Sequence, residues 1–246
     1  MDALTIAAAS GLRARMESLE MLANNLANAS TPGFKVDREF YSLYLAPEAL
    51  DPLSLESLPS TLPVIDRPWT DFRAGTVQVT GNPFDLAIAG RGFFAVEGPG
   101  GALYTRNGSF RFSPSGVLTA VGGYPVRRAG GGQIQAISAS PPEVDAGGTV
   151  RQDGVVLGRL ELADFPDLSV LRKREAGYFQ AQPGAAAAAA AGEVGQGRLE
   201  SSNAVAAEGA VRLVNVLRQF EMLQKAITLG SEMNRKAIEE VARVGS

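Results

Sequence analysis

The sequence contains neither cysteine nor histidine among its 246 residues. The absence of cysteine excludes disulfides and thiolate metal ligands. The absence of histidine excludes imidazole ligands and serine–histidine–aspartate triads. Most of the common enzyme chemistry is therefore excluded, although carboxylates, lysine, tyrosine and serine remain for catalysis, so the composition alone does not exclude an enzyme.

Aromatic residues are also scarce, at 7% of the chain, and charge is nearly balanced, with 23 basic and 26 acidic residues. No basic block stands out, which argues against a nucleic acid partner. The chain has no run of about 18 apolar residues, which is the length that a membrane-spanning helix needs. We therefore expect no direct membrane insertion. The chain opens with an acid, Asp2, and has no basic region before an apolar one, so we expect no cleavable signal peptide.

The first part of the chain has the pattern of a helix. From Ala3 to about Asn28 there is no proline, and apolar residues recur at spacings of three and four on one helix face. These residues are Leu12, Met16, Leu19, Ala23 and Leu26. The helix should end near Asn28, because Pro32 follows and cannot continue it. Thr31–Phe34 predicts a type II turn with Gly33 at positive φ.

The last part of the chain predicts a second, longer helix, from about Val205 to Val244. Its apolar stripe consists of Leu213, Leu217, Phe220, Leu223 and Ile227, extended by Ile238 and Val241. We expect the two helices to pair as an antiparallel coiled coil. About 20 Å of the longer helix then lacks an internal partner, which favours contact with another molecule. An ordinary helical hairpin packed on the middle of the chain remains the alternative.

The middle of the chain is typical of short strands. Strand candidates are Thr76–Thr80, Asp85–Ala89, Phe93–Val96 and Gly158–Leu162, and Asn107-Gly108 and Asp153-Gly154 are hairpin signals. The fold class is thus α+β, with an all-β domain inserted between two helices. The predicted segments are the N-terminal helix over 1–35, a Pro-rich linker over 36–71, the β-domain over 72–180, an Ala/Gly linker over 181–200 and the C-terminal helix over 201–246.

Four segments of the sequence resemble one known family. They are Asn24–Lys35 (Asn-Asn-Leu-Ala-Asn-Ala-Ser-Thr-Pro-Gly-Phe-Lys), Leu86–Phe94 (Leu-Ala-Ile-Ala-Gly-Arg-Gly-Phe-Phe), Tyr104–Phe110 (Tyr-Thr-Arg-Asn-Gly-Ser-Phe) and Leu199–Asn203 (Leu-Glu-Ser-Ser-Asn). We call these four the motif segments. In this order they resemble the flagellar basal-body rod and hook axial proteins. The likeness covers nearly the whole chain and is greatest for the proximal rod proteins of the F class, with the distal rod proteins of the G class next.

The resemblance implies a structural subunit of the flagellar rod, in the periplasm-spanning basal body, and we therefore expect no enzymatic activity, no cofactor and no metal. It implies export through the flagellar export apparatus, and assembly with copies of itself and with other rod and hook subunits. It also implies an inner domain in which the terminal helices form a coiled coil. One position departs from the family: relatives often have Asp or Asn where this chain has Val205. The cap of the C-terminal helix is therefore missing or shifted to Asn203.

The candidate functional residues form an assembly interface, made of the two helix stripes and the turn between Asn24 and Phe34. The asparagines are expected to cap the helix end and to hydrogen-bond the following turn or a neighbouring subunit. The predicted interface residues are Leu12, Leu19, Leu26, Asn24, Asn25, Asn28, Pro32, Gly33, Phe34, Leu213, Leu217, Phe220, Leu223 and Ile227.

Two other classes of function stay open at this stage. One is a soluble binding module, with a β-domain for a glycan or peptide on a helical stalk. The other is a hydrolase that uses carboxylates, although no recognisable motif of paired acids supports it. The pattern Gly90-Arg-Gly92-Phe-Phe-Ala95 formally fits a dinucleotide-binding turn, but the residues after it are typical of a strand and not of the required helix. We interpret it as a β-turn or a β-bulge.

Overall fold

The computed structural model describes residues 3–39, 41–45, 61–65 and 69–244. One long helix lies near each end of the chain, α1 (Ala3–Ala27) and α2 (Ala206–Val244), and short strands lie between them. The predicted α+β class, with a β-rich region between terminal helices, is confirmed. Neither helix, within the described residues, has a stretch long and apolar enough to cross a membrane.

The strands in the described residues have two to six residues each. In chain order they are β1 (Asp37–Arg38), β2 (Tyr41–Leu45), β3 (Thr61–Ile65), β4 (Trp69–Thr70), β5 (Val77–Val79), β6 (Leu86–Ala89), β7 (Phe93–Gly98), β8 (Gly101–Thr105), β9 (Arg111–Phe112), β10 (Leu118–Thr119), β11 (Glu143–Val144), β12 (Thr149–Gln152), β13 (Val155–Arg159), β14 (Leu162–Asp164), β15 (Leu171–Lys173), β16 (Tyr178–Ala181), β17 (Ala188–Ala189), β18 (Glu193–Gln196) and β19 (Arg198–Glu200).

The chain divides into two compact units and passes between them four times. The helical unit contains the described parts of Met1–Ala27, Asp37–Trp69 and Val205–Ser246. The β unit contains Asn28–Val36 and Thr70–Ala204. The first change of unit thus comes directly after α1. The predicted division into five consecutive segments stays a prediction.

In the helical unit, α1 lies against both α2 and β3. The two helices approach closely at Gly11, where an added Cβ would lie 3.6 Å from Cδ1 of Leu223. β2 and β3 pair antiparallel, with Leu43 opposite Pro63. The predicted Pro-rich linker over 36–71 contains β1, β2, β3 and β4 where the structure describes those residues. Both strands of a two-stranded sheet are edge strands, and edge strands tolerate proline.

The largest sheet of the β unit has six strands in the order β15-β16-β8-β7-β14-β17. Along β7, successive side chains point to opposite faces of this sheet. Phe94 and Val96 join one apolar core, while Phe93 and Ala95 join a second. Burial on both faces explains why this strand is a continuous apolar run, and the predicted strand is confirmed.

The two predicted hairpin turns have different outcomes. Asp153 and Gly154 connect β12 to β13, and their φ values of 51° and 78° are those that a two-residue type I′ turn requires. Asn107-Gly108 follows β8 without forming a hairpin, which corrects the second prediction. There Gly108 O accepts a hydrogen bond of 3.0 Å from Leu86 N, so the segment is tied to β6 instead.

The seven alanines from Ala185 to Ala191 do not form a helix. Ala188–Ala189 is β17, at one edge of the six-stranded sheet, where it pairs with β14. Seven residues between Gly184 and Gly192 are too few for a stable isolated helix. The rest of the predicted linker over 181–200 contains β18 and β19, which pair with β6 and β5. These residues are part of the β unit.

Candidate functional site

The segment after α1 makes the turn that the sequence predicts. Phe34 N donates to Thr31 O at 3.3 Å, and Gly33 has a φ of 67°. A Cβ on Gly33 would lie 2.3 Å from both Arg106 C and Asn107 N. Glycine is therefore required for two reasons, its positive φ and the close approach of a second backbone segment.

The other predicted interface residues of this turn contact the β unit to which they belong. Phe34 is buried, and the Lys173 ammonium lies 3.8 Å from the centre of its ring, where the aromatic face attracts a cation. Pro32 is half-buried, and Asn28 Oδ1 accepts from Thr31 Oγ1 at 3.2 Å. Internal contacts thus fix the conformation of this turn.

A buried ion-pair cluster lies beside the turn. Lys35 Nζ lies 2.5 Å from Glu200 Oε1, and Arg106 Nη1 lies 3.1 Å from Glu200 Oε2. The side chains of Lys35 and Glu200 are each 1% exposed, and that of Arg106 is 8% exposed. Buried charges of this kind are tolerated only when they are paired and hydrogen-bonded.

Backbone groups complete the cluster. Lys35 Nζ also donates to Arg73 O at 2.7 Å, and Gly75 N donates to Glu200 Oε1 at 2.9 Å. Arg106 donates to Ile88 O at 3.1 Å and to Gly90 O at 2.7 Å. Each charged side chain therefore also reaches a backbone group of another segment.

The cluster contains two cations and one carboxylate, and burial perturbs both cations. Burial lowers the pKa of Lys35, although the Glu200 carboxylate opposes this shift. Burial likewise lowers the pKa of Arg106, again against the attraction of Glu200. Glu200 is thus the anion that keeps two desolvated cations paired.

All four motif segments meet at this cluster. Lys35 ends the first segment, Gly90 belongs to the second, Arg106 to the third and Glu200 to the fourth. Sequence reasoning quoted these residues within the motifs but did not place Lys35, Arg106 or Glu200 at a site. An available signal was the charge itself, because each lies in a segment of apolar and turn residues.

Asn203 does not cap α2, which corrects the predicted shift of the cap to this residue. Its side chain accepts from Val36 N at 2.9 Å and donates to Asp71 O at 2.7 Å and to Arg73 O at 3.1 Å. α2 begins at Ala206 and is preceded by Val205, whose side chain has no acceptor for the first helical N–H groups. The Asn203 side chain therefore bonds within the β unit and is not available to cap α2.

The asparagines at the end of α1 differ in their surroundings. Asn25 is buried in the helical unit, where its amide pairs with the backbone of Asp37 in both directions, at 2.8 Å and 3.0 Å. Asn24 is exposed. Asn25 thus binds a residue that lies twelve positions along the chain, beyond the predicted turn. A role of these asparagines at a subunit interface stays a prediction.

α1 buries a different face from the one that carries its apolar pattern. Its most buried described side chains are Ala14, Ser18, Leu22 and Asn25. Ser18 Oγ donates to the Glu39 carboxylate, so the segment after the turn covers part of this face. The predicted stripe lies roughly a third of a turn away, at 3.6 residues per turn. Leu12, Leu19 and Leu26 there are half-buried, and Met16 is exposed.

One apolar face of α2 is largely covered. We call it the first face, and its residues are Leu213, Val216, Phe220, Leu223 and Ile227. Val216 is buried and the other four are half-buried, and Leu223 is the residue that approaches Gly11 of α1. Leu217 was predicted on this stripe, but it lies towards the polar side and is 41% exposed.

A second apolar face of α2 was missed by sequence reasoning. Its residues are Val211, Val214, Met222, Leu229 and Met233. They lie roughly opposite the first face at 3.6 residues per turn. All are exposed, and Met222 and Met233 reach 61% and 70%. The interruptions by Arg218 and Lys225 hide this spacing in the sequence.

The polar groups of the site bond to one another. Within the described residues, no group of three acidic side chains is placed to hold a metal ion. Every buried side-chain nitrogen or oxygen there has a hydrogen-bond partner. The buried charges are thus used internally. Exposed apolar side chains lie on both helices and also in the β unit, where Val79 is 79% exposed.

Three family models match the chain. One described as flagella basal body rod protein matches residues 7–35, one described as the D1 domain of flagellar hook protein FlgE/F/G matches 87–158, and one described as flagellar basal body rod FlgEFG protein C-terminal matches 196–240. The flagellar basal-body rod protein FlgF of Caulobacter vibrioides is 33% identical over 230 residues, which is 92% of each chain. The chain belongs to the flagellar basal-body rod protein family.

Other members of the rod family agree with this assignment. FlgF of Salmonella typhimurium is 34% identical over 231 residues, 87% of this chain and 88% of that protein. FlgG of Agrobacterium fabrum is 30% identical over 263 residues, 95% of this chain and 97% of that protein. The predicted resemblance to the F class, with the G class next, is confirmed, and the family is one of structural proteins.

The buried cluster joins the three regions that match the rod family. Lys35 lies in the first matched region, Arg106 in the second and Glu200 in the third. The dinucleotide-like pattern, in contrast, has an ordinary structural role. Gly90 and Gly92, at φ values of 98° and 130°, connect β6 to β7, and a strand follows them instead of a helix.

Proposed function

We propose that this chain is a structural subunit of the flagellar basal-body rod and assembles with copies of itself and with other rod and hook subunits. It acts as part of an axial shaft for motility and not as an enzyme. The observation that supports assembly through the helices is the exposed second face of α2. The family relationship supports the location in the basal body.

The second face of α2 is an apolar stripe of the kind that packs against another helix. Its residues alternate with Arg218 and Lys225, whose aliphatic stems also pack against apolar surfaces. Burial of apolar surface gives roughly 25 cal/mol per Å². Five such residues repeated on every subunit therefore supply a large driving force for assembly.

The lengths of the helices support the same interpretation. α2 has 39 residues and α1 has 25, so α2 is longer by about 21 Å at 1.5 Å per residue. α1 is too short to cover α2 along its whole length. The half-exposed stripe of α1, with Leu12, Leu19 and Leu26, is a second surface for a neighbouring subunit.

The coiled coil is the finer part of the proposal. Leu213, Val216, Phe220, Leu223 and Ile227 recur at spacings of three and four, the repeat of a coiled-coil seam. We infer that this seam pairs with α1 inside one subunit, while the second face contacts other subunits. Contacts between different patches on successive copies generate an open helical array, which is what a shaft requires.

The remaining elements of the proposal come from the family. The chain is placed in the F class of proximal rod proteins, and the G class of distal rod proteins is the alternative. Export through the flagellar export apparatus belongs to the same proposal. No nucleic acid partner and no direct membrane insertion are part of it.

The proposal is tested with Met222→Asp in a strain that lacks its own copy of this subunit. Met222 is exposed in the single chain, so the variant should fold normally, whereas a buried charge at a subunit contact is costly. We expect purified basal bodies to lack the variant and the cells to be non-motile. The two readouts are immunoblotting of basal bodies and swimming.

The matched control is Thr228→Asp, on the polar side of the same helix. The Thr228 hydroxyl binds only the carbonyl of Gln224 in its own helix, at 3.0 Å. This variant introduces the same charge and should enter the rod and support swimming. Equal incorporation of Met222→Asp and Thr228→Asp would argue that the second face is not an assembly surface.

A further inference from the structure

Three of the chain segments that connect the β unit to the helical unit meet at Asn203. The changes of unit follow Val36, precede Thr70 and follow Ala204. Within the β unit, the Asn203 side chain binds Val36 N and Asp71 O, and Asp71 N donates to Val36 O at 2.8 Å. One amide group thus links the ends of three connections.

The same segments are tied a second time by backbone bonds. Gly33 N donates to Glu200 O at 2.7 Å, and Asn203 N donates to Phe34 O at 3.3 Å. These bonds align the segment that follows α1 beside the segment that precedes α2. The two segments are far apart in sequence, so their alignment depends on tertiary contacts.

The buried ion cluster reinforces this alignment from the inside of the β unit. Lys35 lies on the first segment and Glu200 on the last. Arg106, which directly follows β8, donates to the Glu200 carboxylate. Lys35 Nζ also binds Arg73 O, on the segment that begins at Thr70, and Asn203 donates to the same oxygen. The amide and the cluster therefore act on the same three segments.

We propose that Asn203 is a positioning residue, which together with the Lys35–Glu200–Arg106 cluster fixes the spacing of three connections where they leave the β unit, and that rod assembly requires this spacing. The inference rests on the proposed function for its second half. The motif segments then bind one another within the β unit and do not contact neighbouring subunits.

The test uses Asn203→Asp in the full chain. Aspartate keeps the acceptor for Val36 N but cannot donate to Asp71 O and Arg73 O, and it brings a negative charge beside two carbonyl oxygens. We expect amide hydrogen exchange to accelerate at least about tenfold at Gly33, Val36 and Asp71, with little change in the β12–β13 hairpin. Incorporation into basal bodies should be lost.

The matched control is Asn82→Asp. Asn82 Oδ1 accepts from Phe84 N at 3.2 Å in an exposed turn, and aspartate preserves that role. A second variant, Lys35→Met, removes the link to Arg73 O while Glu200 stays paired with Arg106, so the β unit should stay folded. Lys35→Met should show the same faster amide exchange at Gly33, Val36 and Asp71 and the same loss of incorporation into basal bodies.

Three results with Asn203→Asp and Lys35→Met would overturn the proposal. The first is unchanged exchange at the amides of Gly33, Val36 and Asp71, and the second is equal acceleration throughout the β unit. The third is normal incorporation into basal bodies despite accelerated exchange at these amides. The outcome is separable from that of the proposed function. If wild type and Asn82→Asp both fail to enter the rod, the proposed function fails, while the exchange data still decide whether Asn203 and Lys35 fix the connections.

Discussion

Lys35 and Glu200 are 165 residues apart in the chain, and their side chains form a buried ion pair of 2.5 Å. Their segments lie beside each other in the β unit because Gly33 N also binds Glu200 O. A buried ion pair is weak evidence for stability on its own, since desolvation offsets much of its attraction. We expect its main contribution to be specificity, because a shift of either segment would leave the buried cations without their carboxylate.

Removing the carboxylate should destabilise the β unit strongly. In Glu200→Gln, Lys35 and Arg106 stay buried without an anion, and such losses cost about 3–5 kcal/mol. Urea unfolding of the full chain, followed by circular dichroism, measures the change. The control is Glu161→Gln, because the Arg127–Glu161 pair of 3.0 Å is about a third exposed and should cost no more than about 1 kcal/mol. Similar small losses in both variants would contradict a central role for Glu200.

Local patterns predicted much of the fold. The β7 run, the Asp153-Gly154 hairpin and the turn at Gly33 follow from short-range rules for side-chain alternation and positive φ. The Asn107-Gly108 turn did not follow its rule, because its hydrogen bond goes to β6. That partner is distant in sequence, and no local pattern reveals it.

The candidate site was less predictable for the same reason. The interface residues on α2 were chosen from one apolar stripe, and most of that stripe is covered in the single chain. The exposed stripe through Met222 and Leu229 is interrupted by charged residues. On α1, Ser18 and Asn25 are buried because polar partners at Glu39 and Asp37 cover them, which hydrophobic periodicity does not detect.

Gly33 should be the least replaceable of the glycines that have a positive φ in the described part of the chain. Gly33→Ala adds a Cβ that meets backbone atoms of Arg106 and Asn107 at 2.3 Å, so the chain must shift. The control is Gly81→Ala, since Gly81 has a similar φ of 71° but nothing within 4 Å of the added Cβ. The control should lose about 1–2 kcal/mol from backbone strain, and Gly33→Ala about 1–3 kcal/mol more from overpacking. Urea unfolding compares the two, and equal losses would show that the close approach is not rigid.

Tyr178 should make the β unit sensitive to alkali. Burial, with a smaller contribution from Tyr124, raises the pKa of Tyr178 well above its usual value of about 10. Above about pH 10, the Tyr178 phenol of the unfolded chain releases its proton, while that of the folded chain keeps it. The free energy of unfolding therefore falls as the pH rises.

The comparison between wild type and Tyr178→Phe isolates this contribution. The Tyr178 hydroxyl donates to Val121 O, so its loss should lower stability by about 1 kcal/mol at neutral pH. Between about pH 10 and 11.5 the variant should lose stability less steeply than wild type, by up to about 1.4 kcal/mol per pH unit. Buried Tyr104, whose pKa burial also raises, should leave some slope in both proteins. Urea unfolding across this range measures the slopes, and parallel curves would mean that Tyr178 ionises as readily in the folded chain as in the unfolded one.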